Sequence, residues 1–166
     1  MMSINIYKHI HFAYNKYMQD SFTFRLPLKV QVSKRNTFIL NLNNYRNAHH
    51  RVLSVAKKNY HHIISGLGLP NVKYNKVKVY YKIYPPSRRL YDGSNVVSVV
   101  DKFVMDSLQK IGVIKDDDIF HVVAPTWLPC KPDKDFPRIE VTVVDISGTE
   151  QEKYLQELEL IYNNKQ

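Results

Sequence analysis

Hydrophobic and polar positions alternate most cleanly in the middle of the chain. Val77, Val79, Tyr81 and Ile83 interleave with Lys76, Lys78, Tyr80 and Lys82, the period-two pattern of a half-buried strand. The pattern predicts a strand over 72–84, stopped by Pro85-Pro86. Residues 22–32 also alternate and predict one strand, with a second short strand over 37–42. Residues 119–128 and 137–146 predict two more, joined by a Pro- and Lys-rich turn. Between these the period changes. Tyr45, Ala48, Val52, Val55, Ala56, Tyr60, Ile63, Ile64 and Leu67 recur at three- and four-residue steps, predicting a helix over 44–67 that Gly66, Gly68 and Pro70 end. A second helix is predicted from Asn95 to Ile111, with Gly112 as its C-cap. A last, acidic helix follows Gly148 through Tyr162. The order β-α-β-α-β-β predicts an α+β fold: a mixed β-sheet with two main helices packed on it, plus terminal additions.

Length and composition fit that picture. At 166 residues, 44% hydrophobic and 23% charged, the chain is long and apolar enough for one core. We expect a single domain with its core at about 22–146, an N-terminal extension over 1–20 and a C-terminal helix or tail over 149–166. Cys130 is the one cysteine, so an intramolecular disulfide and a Cys-rich zinc site are excluded and a reducing, cytoplasmic setting is expected. No apolar run approaches the ~18 residues of a membrane span. Met1 to Tyr17 is interrupted by Asn5, Lys8, His9, His11, Asn15 and Lys16 and does not read as a signal peptide.

Charge divides the chain in two. Residues 1–91 hold 16 Lys and Arg against a single acid, Asp20, for a net +15. Residues 92–166 hold 8 Lys and Arg against 14 Asp and Glu, for a net −6. A basic half suits a polyanion, nucleic acid first. Clustered acids suit a divalent cation. Together they suggest metal-assisted chemistry on phosphodiesters, with a purely binding protein as the other reading.

The second helix carries the candidate chemistry. On a helical wheel Asn95, Ser98, Lys102, Asp106 and Gln109 fall within an arc of about 80°, opposite Val97, Val100, Val104 and Leu108. Asp92 stands just before this stripe, where the helix dipole favours negative charge. Asp116-Asp117-Asp118 follow it in a loop. Asp101 lies about 120° from Asn95 and is expected to be a solvated flank residue.

Arg88-Arg89-Leu90-Tyr91-Asp92-Gly93-Ser94-Asn95, followed by Lys102, Asp106, Leu108, Gly112 and Asp116-Asp117-Asp118, resembles the RusA family of Holliday junction resolvases. Leu42-Asn43-Asn44-Tyr45-Arg46-Asn47 resembles the Asn-rich entry to that family's first helix, and the likeness spans roughly Leu40 to Ile146. The resemblance implies a homodimeric, Mg²⁺-dependent endonuclease (Mn²⁺ as a substitute) that cuts branched DNA such as four-way junctions. It implies catalytic roles for Asp92, Asp117 and Lys102 and metal ligation by Asp92, Asp116, Asp117 and Asp118, with Asn95 as the motif Asn. Lys102 matches the family's helix Lys when one extra helical turn is allowed. Ser94 stands where a second motif Asp is expected; it either ligates through its hydroxyl or, as we prefer, caps the helix.

Magnesium takes about six oxygens, many of them water, so one or two carboxylates and a phosphate suffice. A straight 17-residue helix is about 25 Å long. Asp92 and the 116–118 loop therefore meet only if the loop folds back or if two protomers contribute. Lys102 has two readings, a phosphate contact or a surface pair with Asp106. Arg46, Arg51, Lys57, Lys58, Lys76, Lys78, Arg88 and Arg89 are expected to track phosphates. Tyr74, Tyr80, Tyr81 and Tyr84 divide between base stacking and the core. A non-catalytic DNA or RNA binder of the same fold and a metal-dependent ribonuclease are the alternatives.

Overall fold

Pro27 ends the first strand early. It has no N–H to give a ladder, and the stretch expected to run over 22–32 breaks there. In the computed structural model, which describes residues 20–89 and 91–163, β1 is Ser21–Leu26 and β2 is Lys29–Gln31. The reading of the first 19 residues lies outside the described part. β2 leaves the main sheet to pair antiparallel with β3, Thr37–Ile39, in a two-stranded sheet of its own.

The helix expected over 44–67 is also two elements, α1 (Leu42–Asn47) and α2 (His50–Ser65). Ala48 and His49 between them are extended, and the His49 ring accepts the Arg51 N–H at 3.3 Å, capping α2. β4 is Val77–Tyr84, α3 Gly93–Lys110, β5 Val122–Pro129, β6 Arg138–Asp145 and α4 Glu150–Asn163. The two breaks, at Pro27 and at Ala48–His49, add one strand and one helix to the elements expected; the α+β class with a mixed sheet stands.

The main sheet runs β1-β6-β4-β5. β6 is antiparallel to both β1 and β4, while β4 and β5 are parallel. A parallel pair needs a crossover, and α3 supplies it. β5 and β6 are not neighbours, because β4 lies between them. Their connection crosses the end of β4, held by Cys130 N–H to Ile83 C=O at 2.9 Å and Asp133 N–H to Pro85 C=O at 2.8 Å.

One face of the sheet is the core. Phe24, Val141, Tyr81 and Trp127 lie in register across all four strands. Ala56, Tyr60 and Ile64 of α2 and Val97, Val100, Phe103, Val104 and Leu108 of α3 join them in one buried cluster. Tyr60 and Phe103 meet edge-on with centroids 5.8 Å apart, an arrangement the ring quadrupoles favour. The other face carries Arg25, Glu140, Lys82, Tyr84 and Arg138. There Glu140 accepts from Arg25 at 3.1 Å and Arg138 at 3.0 Å, and the Arg138 guanidinium lies 3.8 Å over the Tyr84 ring. Among the described residues no helix is long and apolar enough to cross a membrane.

Candidate active site and basic surface

α3 starts where it does because Asp92 caps it. Asp92 Oδ1 accepts from the Ser94 N–H at 3.0 Å, the Asn95 N–H at 3.3 Å and the Ser94 hydroxyl at 2.6 Å. These satisfy helix donors that have no intrahelical partner. The preferred reading of Ser94 as the cap is thereby corrected: Ser94 sits inside the first turn and donates to the cap. Its hydroxyl, with the Asn95 and Ser94 amides, holds the Asp92 carboxyl below the ordinary carboxylate value. Gly93 is buried beneath Trp127, and a Cβ there would collide with the indole ring.

α3 is capped at its C-terminal end by Ile111 rather than by Gly112, which follows it with a φ of 78° that suits glycine. Beyond it the chain turns back along the helix. Gln109 Nε2 donates to Asp116 Oδ1 at 3.2 Å, and the same oxygen accepts the Asp117 N–H at 2.8 Å. Asp118 Oδ1 accepts the Phe120 N–H at 2.9 Å and the His121 N–H at 3.1 Å, and lies 2.6 Å from His121 Nδ1. One oxygen of Asp116 and one of Asp118 thus shape the loop itself. The exposed Asp117 carboxylate makes no hydrogen bond to a described residue.

Asp101 is not the solvated flank residue expected. The hydroxyl of Tyr81, a fully buried residue of the central strand β4, donates to Asp101 Oδ1 at 2.6 Å. Burial raises the Asp101 pKa; the Tyr81 bond opposes that, and the Asp117 charge adds to it. The returning loop therefore places Asp117 within electrostatic reach of Asp101. The tertiary fold brings this pair together, and periodicity alone misses it. One signal was present: Met105, one turn beyond Asp101 on the same flank, is apolar and buried, so that flank is covered.

Asp92 does not join them in the same way. It stands nine residues before Asp101, about 13–14 Å of helix rise. Among the described residues no group of three or more His, Cys, Asp or Glu is assembled to hold a metal ion. Asp92, Asp116, Asp117 and Asp118 are therefore not one ligand cluster within a chain.

Asp106 pairs with Lys57 of α2 at 2.9 Å, not with Lys102. Lys102 is exposed and has no ion pair among the described residues. Asn95 is half-buried in the first turn of α3.

The expected phosphate-tracking residues also separate. Arg46, Arg51, Lys58, Arg88 and Arg89 are exposed, without a carboxylate partner among the described residues. Lys57 is half-buried in its ion pair and lies 5.8 Å over the Phe103 ring. Lys78 is half-buried, 5.4 Å over the Tyr80 ring. Lys76 is a correction. It is 4% exposed, donating to Phe120 C=O at 2.9 Å and facing Glu159 of α4 at 3.5 Å, so its charge is spent inside the protein. Of the four tyrosines, Tyr81 belongs to the core.

No known family model matches the chain, and no curated protein matches it.

Proposed function

We propose that the protein is a magnesium-dependent endonuclease that cuts branched DNA, four-way junctions among them, as the resemblance of its central motif to the RusA family implies. The observation that supports this reading is the loop turned back along α3, tied by Gln109 to Asp116 at 3.2 Å, while the buried Tyr81 hydroxyl holds Asp101 at 2.6 Å. Asp101, fixed by a buried tyrosine, and Asp117, without a hydrogen bond to a described residue, are carboxylates of the kind magnesium accepts. Asp101 and Asp117 would hold the ion. When bound there it would supply Lewis acidity and a hydroxide nucleophile at neutral pH.

The protein's own groups do the rest. Tyr81 fixes the direction of the Asp101 carboxylate. Lys102, adjacent to Asp101 and free of an ion pair, offers its ammonium to the scissile phosphate. Asp92 organises the first turn of α3, with Arg88 and Arg89 on the segment leading to it. A homodimer fits two symmetric cuts with two related sites.

A second reading is favoured by one observation: Ser94 serves the Asp92 cap where the family motif has a carboxylate. On that reading the protein binds branched nucleic acid without cutting it.

A labelled four-way junction separates the two. With Mg²⁺ the protein should give paired nicks. Asp117→Asn and Asp101→Asn should each sharply lower the cleavage rate while leaving binding intact. Tight binding with no nicks in either Mg²⁺ or Mn²⁺ would eliminate the nuclease and leave the binder.

A further inference from the structure

We infer that the β2–β3 hairpin enters the major groove of duplex DNA, with Lys34 and Arg35 at its tip contacting phosphates. This rests on the reading that the partner is DNA.

The hairpin is anchored rather than loose. Val30, Phe38 and Leu40 are 3%, 5% and 1% exposed, so its inner side belongs to the core. Asn59 of α2 donates to the Gln31 carbonyl at 2.7 Å, and the Tyr60 hydroxyl donates to Pro27 C=O at 3.2 Å.

Its tip, residues 32–36, holds itself rigid. The Asn36 carbonyl accepts from Val32 N–H at 2.9 Å and Ser33 N–H at 3.2 Å. Ser33 Oγ accepts from Asn36 N–H at 3.1 Å. Gln31 Nε2 donates to the Ser33 and Lys34 carbonyls at 2.7 and 3.3 Å. The backbone at the tip is thus largely satisfied internally, while the Lys34 and Arg35 side chains point to solvent with no ion pair among the described residues.

Residues 21–91 contain no Asp or Glu, and the acids of the rest of the chain that reach this segment pair with Arg25, Lys57 and Lys76, not with Lys34 or Arg35. The reverse loop between β5 and β6 behaves differently. It carries Lys131 and Lys134 but also Asp133 and Asp135, and Asp133 pairs with Arg138 at 2.7 Å. A rigid two-stranded ribbon with an uncompensated cationic tip suits the B-form major groove, about 12 Å wide, which admits such a ribbon. The deep, narrow major groove of A-form RNA does not.

The test is binding of the full chain to a labelled four-way DNA junction and to an RNA duplex of equal length, over a salt series without divalent cation. Lys34→Ala/Arg35→Ala should weaken junction binding roughly tenfold and flatten its salt slope by about 1.8, the loss of two phosphate contacts. Lys34→Arg/Arg35→Lys should restore both, which separates lost charge from lost fold. An unchanged affinity and slope in the alanine variant, with the parent binding tightly, overturns the hairpin's role and leaves DNA binding standing. An equal loss on the RNA duplex overturns groove entry. A parent that binds neither nucleic acid removes the underlying reading itself.

Discussion

The two ends of α3 carry aspartates under opposite demands. At the N-terminal end Asp92 spends one oxygen on two amides and a hydroxyl. At the other end the loop's local bonds fall to Asp116 and Asp118, and the charge of Asp117 between them raises the pKa of Asp101. Residue type is the same throughout; what differs is whether nearby backbone donors need an acceptor. A carboxylate already used by its own backbone stabilises the fold. One released from that duty is available for a ligand, and it costs some stability where it faces another.

The largest stability effect is expected at the capped end, beside Asp92. Gly93→Ala drives a methyl group into the Trp127 ring and should cost about 1–3 kcal/mol, as overpacking does, although alanine is the better helix former. The urea midpoint reads this. Adding Trp127→Leu should recover most of it, and failure to recover would place the cost elsewhere in the turn.

Next in size is the direct comparison. Asp92→Ala should lower the urea midpoint, as the loss of an N-cap does. Asp117→Ala should stay within about 0.5 kcal/mol of the parent, as exposed substitutions do. Equal losses at the two positions would end the distinction drawn between them.

Much of this fold was legible in the chain. The Val77–Ile83 alternation reads directly as the central strand, with those residues facing the core, and the apolar face of α3 is the buried one. The misses have specific causes. A strand pattern ran through Pro27 because alternation continues on both sides of it. The Ala48–His49 break contains neither glycine nor proline, so the helical period showed no interruption. The placement of β4 between β5 and β6 is a topological fact with no local signature. Of the site, Asp92 and Asp117 were singled out by the motif resemblance. The tie from Tyr81 to Asp101 joins side chains 20 residues apart on different elements, which no single-element periodicity expresses. Lys76 looked like one more cation of a basic strand because its burial depends on Phe120 and the distant Glu159.

The subtlest test of the comparison concerns Asp101. Its folded-state pKa is raised above the ordinary carboxylate value of about 3.9. The folded state therefore holds this proton more tightly than the unfolded state does. The sign follows from linkage. Below both pKa values the group is neutral in either state and costs nothing; as pH rises through the unfolded and then the folded pKa, the fold pays for an ionised carboxylate that burial and Asp117 disfavour. Asp101→Asn keeps an oxygen for the Tyr81 hydroxyl and removes the charge. Without divalent cation at pH 7 it should melt above the parent. That advantage should shrink as pH falls toward 4, and on the proposed magnesium site it should shrink again at neutral pH when Mg²⁺ is added, because a bound cation would stabilise the parent more than the variant. A variant no more stable than the parent at any pH would mean that Asp101 and Asp117 are not in conflict, and the free end of α3 would then be as quiet as the capped one.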